Sequence, residues 1–331
     1  MIGVSGGQTA AAPVYSLTSP DDPWVPRIAA VNELFEQGRF QESLTASRSL
    51  LWQAENTSAP ASVIALVLNN LAAAHQELGN YADAERLYRR SLRIWVEQPK
   101  GHPSLVDRTL NNLGSLFLKQ GRYRQAETLF RRADEVLIGA VGRDHPDRAL
   151  ILNNLALLCM YQGRHSEAEL RYQEALDLLD KTFGPEYLLG ASVRHNLALA
   201  YSEEGRYSEA RVLLEDSLRL LDRKLGPNHP TVGQATGSLA RIQAASGSFR
   251  EAELNSQRAI AIIESSLGPD HPLIGDFLLE QASLLRKTTR KAEAKKLEKR
   301  AKNVLAKNPP DLPINHTIDI RELLQQKRDQ R

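Results

Sequence analysis

A single cysteine, Cys159, occurs among the 331 residues, so the chain can close no internal disulfide and build no cysteine-based zinc site. Aromatic residues make up only 6%, while Leu and Ala dominate, a composition that favours helices over sheets. No apolar run approaches the ~18 residues that a membrane-spanning helix needs, and no membrane span is expected. Charge of one sign is missing as well. With 42 Lys and Arg against 40 Asp and Glu, the formal net charge is +2, without the basic excess usual in a dedicated nucleic-acid binder. The opening MIGVSGGQTAAAPVYS has neither the basic start nor the roughly 7–15-residue apolar core of a secretory signal. A cytoplasmic chain is expected, or an exported one if a leader precedes this sequence.

What is present is repetition. The segments ELGNYADAE, KQGRYRQAE, YQGRHSEAE, EEGRYSEAR and ASGSFREAE place Gly79, Gly121, Gly163, Gly205 and Gly247 at successive steps of 42 residues. A weaker copy lies 41 residues earlier at Gly38, and a degenerate one 42 residues later at Thr289. Seven units follow, over about residues 25–61, 62–102, 103–145, 146–187, 188–229, 230–271 and 272–308.

Each unit reads as two helices. Leu110, Leu113, Gly114 and Phe117 form the i, i+3, i+4, i+7 stripe of a half-buried helix. After Gly121 come Ala126, Phe130 and Ala133, where small residues let a second helix approach closely. The intervening glycine suits a tight turn. Unit boundaries carry Gly-x-x-His-Pro at Gly142 to Pro146, Gly226 to Pro230 and Gly268 to Pro272, with glycine closing one helix and proline opening the next. The boundary at Gly101-His102-Pro103 is contracted, and that at Gly184-Pro185-Glu186-Tyr187 has lost the His-Pro pair.

Leu113-Gly114-x-x-Phe117 followed by Ala126-x-x-x-Phe130 resembles the tetratricopeptide signature, whose usual period is about 34 residues. With its longer helices and its Gly-Pro-Asp-His-Pro linker, the chain resembles the kinesin light chain type of these repeats. HEAT and armadillo arrays share a period of about 40–47 residues, but the Gly-x-Tyr-x-x-Ala turn fits them poorly. The resemblance implies an all-α fold, an α-solenoid of about seven antiparallel helix pairs forming a right-handed superhelix, with the first helices lining a concave groove. Units of this kind cannot bury their apolar faces alone and must stack. The last one reads as a polar cap: nine of the 21 residues 287–307 are Lys or Arg, and Leu297, Ala301, Val304 and Leu305 form its buried stripe. Residues 1–24 are expected to be disordered, and residues 309–331 to form a proline-led tail with one short helix.

Chemistry finds no foothold. Gly3-Val4-Ser5-Gly6-Gly7 matches a nucleophile elbow in letters, but two preceding residues cannot supply the strand that motif requires. His145, His229 and His271 share one boundary position of their units, and His102 belongs to the contracted boundary. They form a ladder along an edge, not ligands converging within ~2.1 Å of one metal, and side-chain capping is their expected task. Cys159 falls at the core aromatic position of its unit. No phosphate-binding loop, zinc-protease motif or dinucleotide fingerprint is present. The expectation is a protein that is not an enzyme and needs no cofactor or metal.

The remaining signal is a pair of polar residues in mid-helix: Asn69-Asn70, Asn111-Asn112, Asn153-Asn154 and His195-Asn196. Asparagine is a mediocre helix former because its amide competes for backbone hydrogen bonds. Asn112 lies about 150° from the core stripe, on one line with Ser115 and Lys119, whereas Asn111 lies about 110° away. Asn70, Asn112, Asn154 and Asn196 are therefore expected in the groove, where the family resemblance implies a grip on ligand backbone. Leu157 and Tyr161 beside Asn154, and Leu199 beside Asn196, would form an apolar pocket for a partner side chain. Asn69, Asn111, Asn153 and His195 are expected to bond within the array. The competing reading is an amide ladder that only links neighbouring helices. Glu77, Lys119 and Glu203 alternate in sign, so no ligand charge is implied, and Arg108 alone does not make the basic clamp of chaperone-tail binders. The expected function is a scaffold binding a peptide segment of another protein. The alternative is the ligand-sensing array of a bacterial signalling or regulatory system. Nucleic acid is not an expected partner.

Overall fold

A computed structural model describes residues 23–97 and 103–307. The expectations for residues 1–22, for residues 309–331 and for His102 lie outside the described residues. Among those described there are fourteen α-helices and no strand: α1 (Trp24–Glu36), α2 (Phe40–Asn56), α3 (Ala61–Glu77), α4 (Tyr81–Glu97), α5 (Pro103–Lys119), α6 (Tyr123–Val141), α7 (Arg148–Tyr161), α8 (His165–Phe183), α9 (Leu188–Glu203), α10 (Tyr207–Leu225), α11 (Pro230–Ala245), α12 (Phe249–Leu267), α13 (Pro272–Lys287) and α14 (Lys291–Lys307). They are the seven helix pairs of an α-solenoid. Two compact units divide them, α1–α7 within residues 3–163 and α8–α14 within residues 164–311.

Within a pair, a three-residue link forces the chain to double back. Gly79, Gly121, Gly205 and Gly247 occupy the left-handed region at φ +80, +71, +79 and +87°, where a Cβ would be strained. A bond from the residue after each glycine closes the helix end, as in Arg122 N–H to the Phe117 carbonyl at 2.8 Å and Arg206 N–H to the Tyr201 carbonyl at 2.9 Å. The degenerate last unit makes the same turn with Thr289 at φ +67°. The turn outlives its glycine.

Between pairs, two of the boundary histidines cap. The His229 ring accepts from Thr231 N–H at 3.2 Å and His271 from Leu273 N–H at 3.3 Å, each one residue before a helix-opening proline. His145 does not cap: it accepts from Asp147 N–H at 3.3 Å in the turn before α7, whose first turn has no side-chain cap.

Small residues set how closely the helices approach. Ser91 of α4 donates to the Ala65 carbonyl of α3 at 2.7 Å, and Ser217 of α10 to the Ala191 carbonyl of α9 at 2.8 Å. A Cβ added at Gly114 would stand 2.6 Å from the Phe130 ring, so that contact exists only because the position is glycine. Cys159 is buried, as its core position requires. Of the expected stripe of α14, Ala301 and Val304 are buried and Leu297 and Leu305 partly so, and Ala294 is buried beside them.

A recurrent strap joins successive units. The arginine after the left-handed turn residue reaches back to a glutamate on the preceding second helix: Arg122 to Glu85 at 2.7 Å, Arg206 to Glu169 at 3.0 Å and, after Thr289, Arg290 to Glu253 at 2.7 Å. Arg122 and Arg206 also lie 3.7 and 3.6 Å above the Phe117 and Tyr201 rings. At the equivalent place on the strap between α10 and α12 the pair is Ser248 with Arg211, and no strap can form.

Candidate functional site

The mid-helix asparagines pair with one another. Asn112 donates to Asn69 Oδ1 at 3.2 Å, and Asn154 to Asn111 Oδ1 at 2.9 Å and to Ser115 Oγ at 3.3 Å. In each case the second position of one unit reaches the first position of the unit before it. Asn70 donates instead to Asn32 Oδ1 at 2.7 Å. Further along, Ser238 stands in the second position and approaches His195 Nε2 at 3.4 Å. Hydroxyl and imidazole there replace amide and amide.

This arrangement buries most of what an isolated helix would display. Asn112, Asn154 and Asn196 are 6%, 3% and 4% exposed. Leu157 is buried too, so it does not stand out as an apolar group on an open face. The physical cause is side-by-side stacking of the first helices: α3 with α5, and α5 with α7. The stripe turned away from a helix's own partner faces the next first helix. Asn70, Ser115, Lys119, Tyr161 and Leu199 remain partly exposed. Lys119 pairs with Glu77 at 2.8 Å, the sign alternation noted in the sequence. Tyr161 stacks on Tyr123, centroids 5.7 Å apart.

Three polar residues that periodicity did not single out belong to the same helices. Arg241 donates to Ser238 Oγ at 3.1 Å and approaches Glu280 Oε1 at 3.5 Å, extending the polar line from α9 through α11 to α13. Burial pushes the Glu280 carboxyl up, while Arg241 pulls the other way. Asp107 is buried in α5 at the position that holds Ala65, Ala149, Ala191, Gly233 and Gly275 in other units, and its Oδ1 has no hydrogen-bond partner. Burial raises this carboxyl to about 7, against a weaker opposing pull from its own helix's N–H groups and Arg108. The signal for all three was departure from the repeat. Burial also holds the His195 imidazole well below its ordinary range, so the ring is neutral at physiological pH.

Among the described residues no group of His, Cys, Asp and Glu is placed to hold a metal ion, and no helix is long and apolar enough to cross a membrane. The site can offer amide, hydroxyl and charged hydrogen-bonding groups along one face.

Known proteins place this geometry. The tetratricopeptide repeat family matches over residues 30–95, 63–138, 105–181, 147–223 and 191–265. No curated protein sequence matches. Among solved structures, a putative kinesin light chain from Podospora anserina with nearly identical repeats is 25% identical, covers 63% of this chain and 98% of that one, and superposes with a TM-score of 0.52. BtubC from P. vanneervenii is 24% identical over 75% of this chain and 94% of its own, with a TM-score of 0.54. The apo form of the quorum sensor NprR from B. thuringiensis reaches 0.61 at 13% identity, covering 88% of this chain and 79% of that one. The last two show likeness of fold.

Proposed function

We propose, from the premise that this chain belongs to the tetratricopeptide repeat family, that it is a non-enzymatic scaffold binding a peptide segment of another protein along the face of its first helices. Family and fold are generally those of non-catalytic scaffolds. The observation that carries the reading is a contrast between rows of equivalent residues. Leu71, Leu113, Leu155, Leu197 and Leu239 repeat one residue type in the core. Four residues past the first ladder position the row runs Ala73, Ser115, Leu157, Leu199, Arg241, and eight past it runs Glu77, Lys119, Tyr161, Glu203, Ala245. A stacking row repeats because it makes the same contact each time. The second of these rows is at least partly exposed throughout, as are Ser115, Leu199 and Arg241 of the first; exposed positions that change chemistry from unit to unit suit an aperiodic object outside the array, which is what a peptide is.

On this reading Asn70, Ser115, Lys119, Tyr161 and Leu199 touch the segment. Asn112, Asn154, Asn196 and Leu157 hold the face in register. Each primary amide also has a second N–H and a carbonyl oxygen beyond any one bond it makes, and the segment's backbone would meet these where they reach the surface.

The test compares capture of partners by the wild type and by Ser115→Arg/Leu199→Arg, after both are shown to melt alike. The expected result is a protein lost from the variant whose segment, made as a synthetic peptide, binds the wild type at least tenfold more tightly. A variant that melts normally and keeps every partner overturns the site. Small-angle scattering with and without that peptide distinguishes a passive scaffold from a sensing array, in which binding would change the dimensions of the chain.

A further inference from the structure

The stripe that carries Asn112 holds a cation that stacking leaves unused. Arg108, Asn112, Ser115 and Lys119 follow one another at i, i+4, i+7 and i+11 along α5 and so share one face. Lys119 is held by Glu77. On α6 and α7, Arg131, Arg132 and Arg148 each hold a carboxylate, Glu127, Glu135 and Asp134. Arg108 has no such partner. It is partly exposed and makes no hydrogen bond or ion pair among the described residues. Burial pulls its guanidinium pKa down, against a weaker upward pull from Asp147 and Asp107. An enclosed cation in this state carries a desolvation cost that a carboxylate bonded directly to it would offset.

The surroundings narrow what that carboxylate belongs to. At the same repeat position the neighbouring first helices, α3 and α7, present Leu66 and Leu150, both partly exposed. With α3 stacked on α5 and α5 on α7, a segment crossing all three meets leucine, arginine and leucine in turn. Resting on the peptide-binding reading above, we propose that Arg108 sets the specificity of this face by holding the side-chain carboxylate of an Asp or Glu that has an apolar residue on either side.

The two leucines limit water around the ion pair, and a lower local dielectric strengthens it. They also ask for chain on both sides of the acid, which a terminal carboxylate lacks on one side. A phosphate group would bring about −1.5 to −2 charge to a place where Asp147 and Asp107 already act on a single cation. One side-chain carboxylate matches one guanidinium in charge and in its forked geometry.

The test uses the full chain and short synthetic peptides, acetylated and amidated so that their termini are uncharged. Each pool has a central Leu-Glu-Leu, Leu-Gln-Leu or Leu-Lys-Leu and random uncharged residues elsewhere. Wild type should bind the Glu pool at least about tenfold more tightly than the Gln pool, the scale of one hydrogen-bonded charged group, and the Lys pool least. Arg108→Gln takes the residue type of the equivalent Gln234; it should melt at least as high as wild type and lose the preference. Arg108→Lys keeps the charge without the fork and should keep the order of the pools with a smaller gap. Arg108→Glu should turn the preference towards the Lys pool. Three pools bound alike by wild type, or a Glu preference that survives Arg108→Gln, would overturn this inference and leave the peptide-binding reading standing. So would tighter binding of a Gln pool with a free carboxyl terminus, or of a phosphoserine-centred pool, than of the Glu pool. A wild type that binds no pool overturns both.

Discussion

Asp107 is the residue at which this chain departs furthest from its own pattern. Other units place alanine or glycine there to let the helices close up; here a carboxyl is 4% exposed with an oxygen unsatisfied. In the unfolded chain it titrates near 3.9, in the native one near about 7. Between those values the native state holds more protons than the unfolded state, so stability falls as pH rises through that window and stays at its lowest above it. Replacing Asp107 with Ala, the residue of equivalent positions, should raise stability at neutral pH by about 1–3 kcal/mol, the scale of an unsatisfied buried polar group. Melting curves of wild type and Asp107→Ala should converge near pH 4 and separate towards pH 7. Equal separation at both ends would mean that the carboxyl is not what limits stability. The sequence contained this residue in plain view, but a repeat search scores agreement, and Asp107 is informative through disagreement.

The element scale is where helical-wheel reasoning reached its limit. The wheel correctly put Leu110, Leu113 and Phe117 in the core and correctly assigned Asn69 and Asn111 to bonds inside the array. It also put Asn112 and Asn154 on an outward face, because a wheel treats each helix as having one partner. A first helix here has its pair partner and its stacked neighbours, and the neighbours claim those amides. The bond can be measured. Removing the donor alone, in Asn154→Ala, leaves the buried Asn111 acceptor without its partner and should cost about 1–3 kcal/mol. Asn111→Ala/Asn154→Ala should cost less than the two single changes added together, with a coupling of about 0.5–3 kcal/mol. Strict additivity in chemical denaturation would mean that the pair contributes nothing as a pair.

For the molecule as a whole, the 42-residue period and the Leu- and Ala-rich composition pointed to stacked helix pairs, and the Leu113-Gly114-x-x-Phe117 and Ala126-x-x-x-Phe130 motifs carried the resemblance to the family. They did not reveal that Leu170, Val212 and Leu254 stand exposed on α8, α10 and α12, since an aliphatic residue in a sequence does not announce whether it is buried. Stacked repeats also make the ends of the array vulnerable. Ile260 and Ile263 are covered by Ile274, Leu278, Ala301 and Val304, side chains supplied by α13 and α14. A chain ending before Pro272 should expose that cluster, melt at a lower temperature and lose soluble yield. Substituting Lys291, Lys295 and Lys299, exposed on the outer side of α14, should leave the melting temperature within a degree or two, as is usual for surface changes away from structural contacts. Equal effects from both would mean that α14 acts through its charge and not as a lid on that core.

The Asn112–Asn69 and Asn154–Asn111 hydrogen bonds each span 43 residues, one more than the repeat. The unit of α5 therefore carries an acceptor, Asn111, for the unit ahead and a donor, Asn112, for the unit behind, like a monomer with two unlike ends. Copying one whole unit within the run would insert both halves of the joint and orphan neither. Such an array can be lengthened or shortened by gene duplication or excision without leaving a buried amide unanswered, provided the change is a multiple of the period. A deletion of half a unit has no such safety. The asparagine pairing thus works as a proofreading rule on the length of the array.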